Sequence, residues 1–174
     1  KAESVGVITV TDTTLPVFVT GVANEIKEFG IQNVSQHILA VDASGINNYM
    51  VNDTVNFKIN PATGLLENNT VLAIGTYNIN VTATDNNGNK AESVGVITVT
   101  DTTLPVFIQG VQSQSVELGL PVQQSVVATD LSGIATYVVN DTANFQINTS
   151  GSLTNKSTLV AGTYNINVTA TDNN

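Results

Sequence analysis

Four acidic positions occur twice in this 174-residue chain. Asp12 returns at Asp101, Glu28 at Glu117, Asp42 at Asp130 and Asp85 at Asp172. Carboxylates offer hard oxygen ligands, and with a formal net charge of −9 the cation they suit is Ca²⁺. A second role competes for the same residues. Asp ends strands and starts turns, because its carboxylate accepts backbone N–H bonds a short way along the chain.

Other chemistries fail to assemble. His37 is the only histidine, and Ser125 stands at its matching position, so a solvated strand residue is expected rather than a base or a ligand. Cysteine is absent, which removes a thiol nucleophile, and no Ser/His/Asp set occurs in duplicate. Carboxylate pairs of the glycosidase kind are compatible with the composition. A repeated scaffold, however, is a poor host for a single active site, and no enzyme is expected. Five Lys and no Arg give no cationic surface for nucleic acid. Lys–Asn crosslinks are not expected, since Gln146 replaces Lys58 and Val116 replaces Lys27. Asn-x-Ser/Thr sequons are frequent, and two matched pairs stand out as glycosylation candidates: Asn52 with Asn140 in turns, and Asn80 with Asn167 on an outward strand face. No apolar run reaches membrane-span length, and no signal peptide opens the chain.

These positions recur because the whole unit does. Residues 1–18 read KAESVGVITVTDTTLPVF, and residues 90–107 read the same; residues 75–87 and 162–174 both read GTYNINVTATDNN. The periods are 89 and 87 residues, the size of one small domain with its own core. The expected division is a terminal strand over residues 1–12, which belongs to a preceding or neighbouring repeat. A first sandwich follows over 13–101, and a second over 102–174 that lacks its last strand.

Within the unit the periodicity is that of strands. Tyr77, Ile79, Val81 and Ala83 alternate with Asn78, Asn80, Thr82 and Thr84, giving one buried face. The run Asn86-Asn87-Gly88-Asn89 is a turn, and residues 94–100 form the partner strand, with Ile97 and Val99 expected on opposite faces. Pro16 and Pro105 suit a strand start. Residues 25–29 could hold at most one helical turn. Short, closely spaced strands separated by turns predict an all-β chain of tandem seven-stranded Greek-key sandwiches.

Particular segments carry a family resemblance. Ala40-Val41-Asp42, the run Phe57-Lys58-Ile59-Asn60-Pro61-Ala62-Thr63-Gly64, residues 77–85, and Ile97-Thr98-Val99-Thr100-Asp101 resemble the successive motifs of cadherin-like and hyalin-repeat-like immunoglobulin-type domains. The junction Asp12-Thr13-Thr14-Leu15-Pro16 departs from the cadherin linker and looks more like that of immunoglobulin-like repeats of bacterial and archaeal surface proteins. The resemblance implies a junction Ca²⁺ set of Glu28, Asp101, Asp130 and Asp172, with Asp12, Asp42 and Asp85 as the matching positions of the other copy. It further implies an extracellular, cell-surface protein: a stalk or filament of repeated sandwiches. The alternative is an adhesin repeat that binds a glycan or a protein through its end loops. The expected partner is the same repeat, as a homopolymer or a continued array, and Ile8 and Val10 are the residues a donated terminal strand would bury.

Overall fold

A computed structural model describes residues 1–174. The chain is all-β and forms two compact units, Lys1–Thr100 and Asp101–Asn174. No helix is long and apolar enough to cross a membrane.

Unit 1 carries β1 (Val17–Thr20), β2 (Glu25–Glu28), β3 (Ser35–His37), β4 (Leu39–Val41), β5 (Ile46–Val51), β6 (Phe57–Ile59), β7 (Leu65–Asn68), β8 (Gly75–Asp85) and β9 (Lys90–Thr100). Its largest sheet has the order β2-β9-β8-β5. The β8–β9 hairpin is its spine, antiparallel from Gly75↔Val99 to Thr84↔Lys90. Strand β5 covers only one end of β8, from Val81 to Asp85. Strand β2 runs parallel to β9, with Glu25 opposite Ile97. The remaining strands form a β3-β7-β6 sheet and a β1-β4 pair. Ile38 lies between β3 and β4, and there the chain passes from pairing with β7 to pairing with β1.

Period-2 patterning decides which side is dry. Ile79, Val81 and Ala83 of β8 are buried, as are Ile97 and Val99 of β9. The expectation that Ile97 and Val99 face opposite ways is therefore corrected: residues two apart in a strand share a face. Residues 25–28 form β2 rather than a helical turn, because β9 offers them a ladder that four residues of helix could not match. Phe57, Leu66 and Ile38 fill the core, and the Tyr77 ring meets Phe57 edge-on at 5.7 Å. Strand β1 starts directly after Pro16, as a missing N–H requires.

Unit 2 carries β10 (Val106–Gln109), β11 (Gln123–Ser125), β12 (Val127–Thr129), β13 (Ile134–Val139), β14 (Phe145–Ile147), β15 (Ser152–Asn155) and β16 (Val168–Asp172). Its pairs β10-β12, β11-β15-β14 and β13-β16 repeat those of unit 1, down to a register shift at Ile134/Thr136 that matches the one at Ile46/Asn48. Counterparts of β2 and β9 are not among its strands. Fourteen buried apolar residues form the core of unit 1 and six that of unit 2, so the second core is the shallower one.

Candidate functional site

Three segments converge on one acidic knot in unit 1. Asp12 precedes β1, Asp42 follows β4 and Asp85 ends β8; one carboxylate oxygen from each lies within 4.8 Å of the others. The turns that place them are made by the same side chains. Asp85 Oδ1 accepts the N–H groups of Asn87 and Asn89, each at 2.8 Å, closing the β8–β9 turn. Asp42 Oδ1 accepts the Ser44 N–H at 2.8 Å and the Ser44 hydroxyl at 2.7 Å. Asp12 Oδ1 accepts the Thr14 N–H at 3.0 Å, and its Oδ2 accepts the Asn87 amide at 2.9 Å. The Thr14 hydroxyl also reaches Asp42 Oδ2 at 3.3 Å. The Thr14 hydroxyl bond, with help from its N–H and from Asn87, pulls the Asp12 carboxyl down from 3.8 to about 2.

Unit 2 repeats several of these hydrogen bonds from its own residues. The Thr103 hydroxyl donates to Asp101 Oδ1 at 2.7 Å and to Asp130 Oδ2 at 3.2 Å. Ser132 closes onto Asp130, and Asn174 donates through its N–H to Asp172 and through its amide to Asp101. The Thr103 and Ser132 hydroxyls hold the Asp101 carboxyl at about 2. Three mutually repelling charges need compensation. Here N–H and O–H donors supply it, and an oxygen-binding cation would supply it more strongly. The donor set fits Ca²⁺ in ligand type and charge.

Glu28 is not part of the three-carboxylate group; it lies on β2 in unit 1, whereas Asp101, Asp130 and Asp172 belong to unit 2. His37 is an exposed residue of β3. The Asn52 side chain is committed to the backbone: it accepts the Asn80 N–H at 2.9 Å and donates to the Asn78 carbonyl at 3.1 Å. Asn140 repeats this with Asn167 and Asn165. The Asn80 amide donates to Glu92 at 3.0 Å, and Asn167 is exposed. Asp53 and Asp141, which the sequence reading passed over, clamp the turns before Phe57 and Phe145 through the Asn56 and Asn144 amides. Their signal was the repeated run Asn-Asp-Thr-x-Asn-Phe.

Unit 2 has a groove of about 800 Å³, lined among others by Val111, Val122, Phe145, Leu159, Tyr164 and Ile166. It sits beside residues 162–167, which repeat residues 75–80 letter for letter yet form no strand. Residues 1–16 likewise form no strand, and Ile8 and Val10 are each 92% exposed.

No family model matches this chain, and no curated protein matches it. Similar solved structures are cadherin ectodomain fragments. Extracellular cadherin domains 1–4 of protocadherin gamma B7 align at 20% identity and a TM-score of 0.48, over 90% of this chain and 45% of that one. Mouse cadherin-23 EC22-24 aligns at 22% and 0.45, over 90% of this chain and 59% of that one. The human desmocollin-1 ectodomain aligns at 18% and 0.40, over 87% and 33%. The chain thus spans about half the length, or less, of most of the solved chains it resembles.

Proposed function

We propose that this chain is a length-giving segment of an extracellular appendage: tandem β-sandwiches whose work is structural rather than catalytic. One observation carries this reading. The segments repeated letter for letter, residues 1–18 with 90–107 and 75–87 with 162–174, include in their copies at 75–87 and 90–107 the two hairpin strands, the start of the joining turn and the linker. Repetition of one unit suits a part that supplies length. The acidic knots tie the residues before β1 and β10 to the turns at one end of each sandwich, where a linker needs stiffness. Ca²⁺ is the ion these knots would take, held by Asp12, Asp42 and Asp85 in unit 1 and by Asp101, Asp130 and Asp172 in unit 2. It would supply charge neutralisation and a tighter clamp on each linker. Immunogold labelling of source cells with an antibody to unit 1 is the test. Label along the whole length of a surface appendage is expected. Label confined to a tip, with binding on a glycan array, would instead give the adhesin reading, and label inside the cell would overturn both.

A further inference from the structure

We propose that the Asn87-Gly88 bond in the β8–β9 turn of unit 1 is a self-modifying site. Asn87 converts with age to aspartate and isoaspartate, which adds a carboxylate beside the acidic knot, and its hydrogen bond to Asp12 restrains the conversion. This chemistry is independent of what the array does. Asn is thermally labile because the main-chain nitrogen of the next residue can attack its side-chain Cγ and close a five-membered ring. The next residue sets how readily that happens, since its side chain shields its own nitrogen. Asn87 is the only Asn in the sequence followed by Gly.

The turn leaves this bond open to the reaction. Asn87 and Gly88 are both exposed, so water and base reach them. Gly88 adopts φ +90°, and a Cβ there would meet nothing within 4 Å, so no neighbouring side chain covers it. Its N–H is held weakly, by the Asp85 carbonyl at 3.3 Å. The restraint lies on the other reacting group. The Asn87 amide donates to Asp12 Oδ2 at 2.9 Å, and that contact must break before Cγ can swing onto the Gly88 nitrogen. Asn86 and Asn89 in the same turn precede Asn87 and Lys90, which carry shielding side chains. Their own amides are tied to the Ser44 carbonyl and to Asp85 Oδ2.

The step needs only water. The Gly88 nitrogen bonds to Asn87 Cγ, the Cγ–Nδ2 bond breaks, and Nδ2 leaves as ammonia with the proton that the Gly88 nitrogen gives up. One water then opens the cyclic imide. Attack at Cγ gives Asp at position 87; attack at the main-chain carbonyl gives isoaspartate, whose chain runs through the side chain and is one carbon longer. Either product adds a negative charge to a turn that already holds Asp12, Asp42 and Asp85 together, and removes the amide that faced Asp12. The longer link does more. Asp85 Oδ1 accepts the N–H groups of Asn87 and Asn89, each at 2.8 Å, so its clamp spans this bond. An extra carbon inside the clamp breaks it where the β8–β9 ladder begins, at Thr84↔Lys90.

Ageing the full chain in EDTA, warm but below its melting transition, tests this. Peptide 59–90, cut out at Lys58 and Lys90, should gain one mass unit at residue 87 ahead of every other Asn. Ammonia should appear with it, isoaspartate should be detectable by enzymatic methylation, and the rate should rise with pH. Asn87→Gln, whose longer side chain must close a six-membered ring, should stay unmodified there. Asp12→Ala should speed the conversion about fivefold, the worth of one net hydrogen bond. Asp53→Ala, which unfastens a different turn of unit 1, should not. Asn87→Asp should lower the melting temperature of unit 1 by roughly 4–8 °C, and aged wild-type chain gives the same reading where that variant fails to fold. No conversion at 87, or another Asn converting first, would overturn the site. An equal rate in Asp12→Ala and wild type, or equal acceleration by Asp53→Ala, would overturn the restraint. Aged and fresh chain melting together would overturn the effect on the turn.

Discussion

Asp12 shows how much a single side chain carries here. Its carboxyl, held at about 2 by Thr14 and Asn87, stabilises the fold fully above the ordinary value of 3.8, and that contribution is lost as pH falls through about 2. Asp101 behaves alike through Thr103. Acid unfolding followed from pH 5 to pH 2 should therefore lose stability below about pH 4. Asp12→Asn should flatten that limb for unit 1; an unaltered limb would mean the knot contributes nothing. The same residues test the cation. In millimolar Ca²⁺ the melting temperature should exceed that in EDTA, with a gain of roughly 2.7 kcal/mol at 100 times the dissociation constant. Asp12→Ala and Asp101→Ala should remove it from unit 1 and unit 2 respectively, and identical curves with and without EDTA would leave the knots as hydrogen-bonded turns only. Glycine acts through its backbone. Gly64 has φ +72°, and a Cβ there would run into the Ile38 carbonyl, whose own N–H donates to the Gly64 carbonyl at 2.9 Å. Gly64→Ala should cost at least about 1–3 kcal/mol in urea denaturation, and a neutral result would contradict that close approach.

Among the elements, β8 and its copy form an internal control. Residues 75–80 and 162–167 have one sequence, GTYNIN, and two structures. Hydrogen exchange should find the amides of 75–80 that point at β9 protected to near the global stability of unit 1, and the matching amides of 162–167 exchanging through local opening. Equal protection would refute the difference. Tyr49 and Tyr137 show the opposite case, in which local sequence suffices. Each hydroxyl accepts an N–H at 2.8 Å, from Ala40 and from Ala128, nine residues back. This contact needs only the β4–β5 or β12–β13 turn and survives in both units.

For the whole molecule, two cores of unequal depth predict two transitions. Chemical denaturation of dilute chain should proceed in separate steps, with unit 2 unfolding first because fewer apolar side chains leave water there. A single concerted transition would contradict separate unfolding of the two cores.

The sequence by itself determined the fold class and most of the acidic knot. Alternation of Tyr77, Ile79, Val81 and Ala83 encodes a half-buried strand, and Asp followed by Ser, Thr or Asn two residues on encodes a turn; both signals are local and need no partner. Identical repeats made the period legible as well. It could not tell which copy of a strand is paired. Residues 1–11 and 90–100 are the same eleven residues, yet one copy is exposed coil and the other is a core strand. A strand is stable only when its N–H and C=O groups meet a neighbour and its apolar face meets a second layer. Both conditions are supplied by residues far away in the chain, so only the tertiary structure could decide them.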